Sequence, residues 1–187
     1  MKKIEDVSCV KFVPKTNEET FINIIKGRGC KAHIGYRGKP VKTTLGKNCL
    51  TSARIIHELM HVLGFLHEHN RPDRDEYIII NFQNIRKSLR HNFRKSKRHQ
   101  VTLLDLPYDY QSILHYRPQD FAIDRSKKSI LPVGDQTIKI GMGKTLSELD
   151  VTKLNKLYQC SGPDEDWPMI EEYADLEFTD ETETTDD

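Results

Sequence analysis

The sequence predicts one α+β domain, and three observations carry that prediction. Short alternating or apolar segments separated by Gly and Pro fill the first fifty residues, a helical period sets in at Thr51, and a second helical period runs from Leu146 to Tyr158. At 187 residues the chain is long enough for one compact domain with a real core, and a tail follows it.

Taken in order, residues 1 to 8 read as the last turns of a helix, and VKFVP (10 to 14) as a strand closed by proline. FINIIKG alternates and ends at glycine, which predicts a strand over 20 to 26. Residues 32 to 36 and 42 to 50 predict further strands with a hairpin-like connection. From Thr51 the apolar positions Ile55, Ile56, Leu59, Met60 and Leu63 fall at helical spacing. Thr51 or Ser52 is available to cap that helix and Gly64 stands where it should stop. EYIIINFQNI (76 to 85) reads as strand turning helical into a basic run. Finally, Ser147 can cap a helix whose Leu149, Leu154 and Leu157 face inward.

The formal net charge of +1 hides an asymmetry. Residues 164 to 187 hold 12 acidic residues and no Lys or Arg, so residues 1 to 163 carry 29 basic against 16 acidic groups, a net +13. The acidic stretch has little to bury and is read as a disordered, solvated tail following a domain over 1 to 163. Trp167, Tyr173 and Phe178 within it offer docking against the basic body as the alternative. Seven Lys or Arg lie from Arg86 to Arg98, read as a solvated face or, in a second reading, a polyanion contact. No apolar run approaches the ~18 to 20 residues of a membrane span, no secretion signal opens the chain, and no nucleic-acid partner is expected. Cys9, Cys30, Cys49 and Cys160 lack CxxC spacing and allow three pairings. Two disulfides and four buried thiols stand level at this point.

The chemistry concentrates in HELMHVLGFLHEHNRPDRDEY, which starts at His57. Residues four apart share a helix face, so His57 and His61 can converge on one ion, and neutral imidazole is a zinc ligand. Glu58 would project beside that ion, placed to take a proton without being a ligand itself. Gly64 can take positive φ at no steric cost and so return His67 as a third ligand. Three protein ligands leave a coordination position open, the arrangement of a catalytic site.

HExxHxxGFxHExxRxDRD, which residues 57 to 75 match at every fixed position, is similar to the extended zinc-binding signature of the astacin family of metzincin metalloendopeptidases. SILHY (112 to 116) resembles the family's S-x-M-H-Y turn beneath the metal, with Leu114 in place of methionine. SCVKFVP, YDYQSILHY and LSELDVTKLNKLYQC extend the resemblance to Cys160. It implies a two-lobed metzincin (zincin-like) catalytic domain: a mixed twisted sheet and the active-site helix above, a mostly irregular lower lobe with a C-terminal helix below. It implies one Zn2+ per chain on His57, His61 and His67, with Tyr116 a ligand at rest and Glu58 the general base. Tyr116 would also stabilise the tetrahedral intermediate. It pairs Cys9 with Cys160 and Cys30 with Cys49, each worth ~3 to 5 kcal/mol through restriction of the unfolded chain. It implies an extracellular, secreted enzyme acting on protein or peptide substrates; a zinc-binding but catalytically weak binding domain is the alternative. Arg125, Lys127, Lys128 and Lys144 lie in the region that shapes the pocket after the scissile bond in relatives, which raises a preference for acidic side chains. Glu68 holds the position that contacts the buried mature N-terminus in the family. Met1 falls within the family's first helix, so the chain is expected to be N-terminally truncated, with its opening strand, signal and propeptide upstream.

Overall fold

The computed structural model describes residues 1 to 160. The expected domain boundary at 163 and the acidic tail lie outside the described residues.

Helix α1 (Lys2–Glu5) is a single turn, shorter than the helical stretch expected over 1 to 8, and its Ile4 is fully buried. The strand expected over 10 to 14 does not form. Its alternation is real, since Val10 and Phe12 pack against a helical core, but no neighbouring strand receives their N–H groups. Those donors go to Ser8 Oγ (3.3 Å) and Glu5 Oε1 (2.9 Å) instead. Alternation reports one-sided burial, and a strand needs a ladder partner as well.

Strands β1 (Ile22–Lys26), β2 (Cys30–Ala32) and β3 (Val41–Leu45) form a mixed sheet in the order β1-β3-β2. β3 runs parallel to β1 and antiparallel to β2. The strands expected over 32 to 36 and 42 to 50 are cut short. Gly35 and Gly38 take positive φ after β2, and Lys47–Cys49 closes into a 3-10 turn after β3. That turn brings Cys49 to Cys30, and the two form a disulfide; a second joins Cys9 to Cys160 across 151 residues.

Helix α2 (Ser52–Val62) begins at Thr51, whose side chain accepts a hydrogen bond from the Arg54 N–H. It ends where Gly64 adopts φ +100°. Val62 packs on Ala32 and Val41 of the sheet, while Ile56, Leu59, Met60 and Leu63 face the other way into a core shared with Ile4, Ile113, Leu114 and Leu154. Leu114, the residue that departs from the astacin turn, is 3% exposed and fills its place there.

Of the stretch 76 to 85 only β4 (Ile78–Ile80) is strand, paired antiparallel with β5 (Ile130–Pro132). The pairing partner had no alternation to announce it. The basic run is not α-helical. Lys87–Phe93 is a 3-10 segment in which Leu89 and Phe93 supply the apolar contacts, too few to define an amphipathic α-helix. Helix α3 (Glu148–Leu157) starts with a capping box between Ser147 and Asp150. The result is a sheet with α2 on one side of a cleft and a loop-rich lower part ending in α3 on the other.

Candidate metal centre

His57 and His61 sit one turn apart on α2, and the Gly64 turn returns His67 to the same point. The three Nε2 atoms lie 3.1, 3.2 and 3.3 Å from one another. Tetrahedral ligands at ~2.0 to 2.1 Å from zinc stand about 3.3 to 3.4 Å apart, so the spacing fits one such ion. The tautomers agree. Backbone carbonyls only accept, so His57 Nδ1–H donates to Ile113 O (2.8 Å) and His61 Nδ1–H to Phe65 O (2.7 Å). Both rings therefore aim an Nε2 lone pair at the common point, in the orientation that such outer hydrogen bonds impose on metal-binding imidazoles. His67 is held well below the ordinary imidazole value by burial first and by His61 and His57 next, which keeps it in the neutral, metal-binding form. Among the described residues this is the group able to hold a metal ion.

A cleft of about 490 Å³ opens at this point. His57, Glu58 and Tyr116 line it, with Cys30, Thr51 and Arg54 from the sheet-and-α2 side and Arg117, Asp120, Phe121 and Gly141 to Lys144 from below. Glu58 is 1% exposed although it borders the cleft. Tyr116 is 3% exposed; its ring lies 4.5 Å from that of His67, between centroids, and meets Phe93 and Phe121. Gly141 passes so close to the turn that a Cβ there would stand 2.4 Å from Tyr116 O.

The turn itself is held from α3. Asp150 accepts from Ser112 Oγ (2.7 Å) and the Ile113 N–H (2.8 Å) while capping its own helix through the Ser147 N–H (3.0 Å). Since Ile113 O orients His57, this buried carboxylate ties α3 to the first imidazole. Burial pushes the Asp150 carboxyl up, against these hydrogen bonds and Lys153. Burial likewise pushes His115 down to about 4. Its neutral ring donates from Nδ1 to Tyr116 O (2.6 Å) and accepts at Nε2 from Tyr108 OH (2.7 Å), which makes it a brace for the turn rather than a fourth imidazole at the site. Glu68 is buried and bound by Lys153 Nζ (2.5 Å), Arg71 (3.1 Å) and the Asp109 N–H (2.9 Å). Its carboxylate is thus a buried, fully partnered group rather than a solvated one.

Sequence reasoning missed Arg54, Arg117, Asp120 and the 141 to 143 stretch as cleft residues, and missed Asp150 as a support. Asp150 carried a signal, the S-x-x-D capping pattern, but that pattern speaks only for its own helix. Of the four cations expected near the pocket, Lys144 lines it and Arg125, Lys127 and Lys128 do not. The basic run from Arg86 to Arg98 is divided: Arg90 binds the Ile85 and Phe82 carbonyls, and Lys95 binds Asp75.

Two imidazoles on one helix turn, a third returned by a glycine and a carboxylate beside them at a cleft define a zincin-type mononuclear metal centre. The family model for Astacin, a family of peptidases, matches residues 1 to 159, and the chain belongs to that family. It is 40% identical over 161 residues to the low choriolytic enzyme of Oryzias latipes, covering 86% of this chain and 58% of that protein. It is 41% identical over 162 residues to the astacin-like metalloendopeptidase of Coturnix japonica, covering 86% and 39%. The solved structure of high choriolytic enzyme 1, a hatching enzyme zinc-protease from Oryzias latipes, superposes with a TM-score of 0.78 at 36% identity, covering 85% of this chain and 82% of that one. The chain thus spans about three-fifths of the low choriolytic enzyme's length, and less of the second relative's.

Proposed function

We propose that residues 1 to 163 act as the catalytic domain of a secreted zinc metalloendopeptidase that hydrolyses peptide bonds in proteins. The observation that carries this is the tetrahedral spacing of His57, His61 and His67 beside buried Glu58 in an open cleft. His57, His61 and His67 would hold the zinc ion, with Tyr116 joining them at rest. When bound, zinc polarises the scissile carbonyl and lowers the pKa of water in its shell.

The remaining work falls to the chain. Among the described residues β2 is one of the two edge strands of its sheet, and its Cys30 borders the cleft, so an extended peptide can add as a strand there and lay its scissile carbonyl beside the imidazoles. Glu58 accepts a proton from the attacking water and returns it to the leaving amine. The Tyr116 hydroxyl donates to the oxyanion of the tetrahedral intermediate. The two disulfides suit an oxidising, extracellular compartment. A polyanion contact by the basic run gains no support from its divided placement, and a catalytically weak binding domain would have no use for Glu58 beside the metal.

The test is hydrolysis of a denatured protein by the zinc-loaded chain. Chelation should abolish it, and one equivalent of zinc should restore it. Activity that survives complete metal removal would sink the proposal.

The cleft also argues for a preference. Arg54, Arg117 and Lys144 border it, with Asp120 beside Arg117 at 3.6 Å, so acidic side chains flanking the scissile bond should be favoured. In a peptide library, Asp and Glu should be enriched, and Lys144→Glu should lower kcat/KM for acidic substrates about 3- to 10-fold, as expected for an exposed charge pair reversed. Selection of neutral residues by the unaltered chain would refute this.

A further inference from the structure

Against the Tyr116 ring lies a residue that no part of the zinc signature requires. His69 lies in a 3-10 turn (Glu68–Asn70) just beyond the third imidazole and is 0% exposed. Its ring stacks on the Tyr116 ring with centroids 3.9 Å apart and planes 30° from parallel. The His69 ring is fixed in turn. Its Nε2–H donates to Asn92 O (3.0 Å), and its own carbonyl accepts from Arg74 (2.9 Å), which also binds Phe93 O (3.0 Å). Asn70 ties the same strand of chain by donating to Asn92 O and Arg94 O. Phe93 closes the cluster, 5.4 Å from the His69 ring and 5.8 Å from that of Tyr116.

We infer that His69 is a positioning residue for Tyr116: its immobilised ring is the flat surface that keeps the phenol at the metal centre. The backbone of the turn, held by Asp150 and His115, sets where the Tyr116 Cα stands. It does not set the two side-chain torsions, which decide where a hydroxyl at the far end of the ring points. A flat ring at stacking distance does, because offset stacking favours one plane over all others. The 3-10 segment Lys87–Phe93 enters this through Asn92 and Phe93, so the otherwise unassigned basic run has its buried side in the support of Tyr116.

The inference rests on the proposed role of Tyr116 in peptide hydrolysis. The experiment compares His69→Phe and His69→Leu in the full, zinc-loaded chain. Both lose the hydrogen bond to Asn92 O and differ in keeping or losing the flat face. H69F should keep kcat within about 3-fold. H69L should lower kcat about 10- to 100-fold with KM little changed, the size expected when a reacting group is misplaced. In a Tyr116→Phe background the same H69L change should have almost no effect, because the hydroxyl it positions is gone. Equal losses in both backgrounds, or no loss in a folded, zinc-bound H69L, would overturn the inference. Cross-relaxation between the Tyr116 and His67 ring protons tests it without activity: it should persist in H69F and vanish in H69L, and persistence in H69L would overturn it too. Were the unaltered chain inactive, the kinetic arm would report failure of the protease proposal, and the ring contacts would still decide the placement of Tyr116.

Discussion

Glu58→Gln is expected to lower kcat for peptide hydrolysis by about 10²- to 10⁴-fold while the chain keeps one zinc ion, the same melting behaviour and nearly the same KM. Glutamine matches the volume of the carboxylate but cannot accept a proton at neutral pH. The three imidazoles that would hold the metal are oriented by Ile113 O and Phe65 O and by their own turn, not by Glu58, so metal binding should survive. Glu58 is 1% exposed at the border of the cleft, so bulk water is a poor substitute for it as proton acceptor. Steady-state kinetics together with zinc stoichiometry check this. Equal kcat in the two proteins would remove Glu58 from the mechanism, and loss of zinc would show it to be structural.

The second large effect is expected on stability. Lys153→Met should destabilise the domain by about 3 kcal/mol, because it strands the Glu68 carboxylate in a site where both partners are some nine-tenths buried. Arg71 and the Asp109 N–H remain to bind Glu68, which places the loss at the low end of the range for broken buried pairs. In a domain of this size that is a fall in Tm of roughly 6 to 12 °C. The double variant K153M/E68Q should recover much of it, since no unpaired charge is then buried. Thermal melts with the disulfides intact measure both. A fall of less than about 2 °C in the single variant would mean that solvent reaches the pair.

These two predictions differ in how far they were legible beforehand. Glu58 was readable because a helix repeats locally: His57, Glu58 and His61 fall within little more than one turn, and their relative placement follows from about 3.6 residues per turn. Gly64 was readable for a similar reason, since positive φ is a property of one residue. The Lys153 contact was not, because it joins residues 85 apart and nothing in either neighbourhood marks the other. The same holds for Asp150 beneath the turn, for β5 opposite β4, and for Arg54 and Arg117 as cleft residues. Where local pattern was trusted beyond its reach, at residues 10 to 14 and in the basic run, it mistook one-sided burial for a strand and sparse apolar contacts for an α-helix.

SILHY shows the division within five residues. From sequence alone it could be assigned only through its resemblance to the astacin turn, and that resemblance named Tyr116 without saying what would hold it. Helix period and glycine conformation were enough to predict the histidine triad and the neighbouring carboxylate, and strand alternation with helix period the α+β character of the chain, because each depends on interactions within a few residues. The supports around the triad that come from other elements depended on packing between distant segments: Asp150 on Ser112 and Ile113, His69 on Tyr116, Lys153 on Glu68. Those contacts exist only once burial excludes water and leaves each polar group to find its partner in the fold.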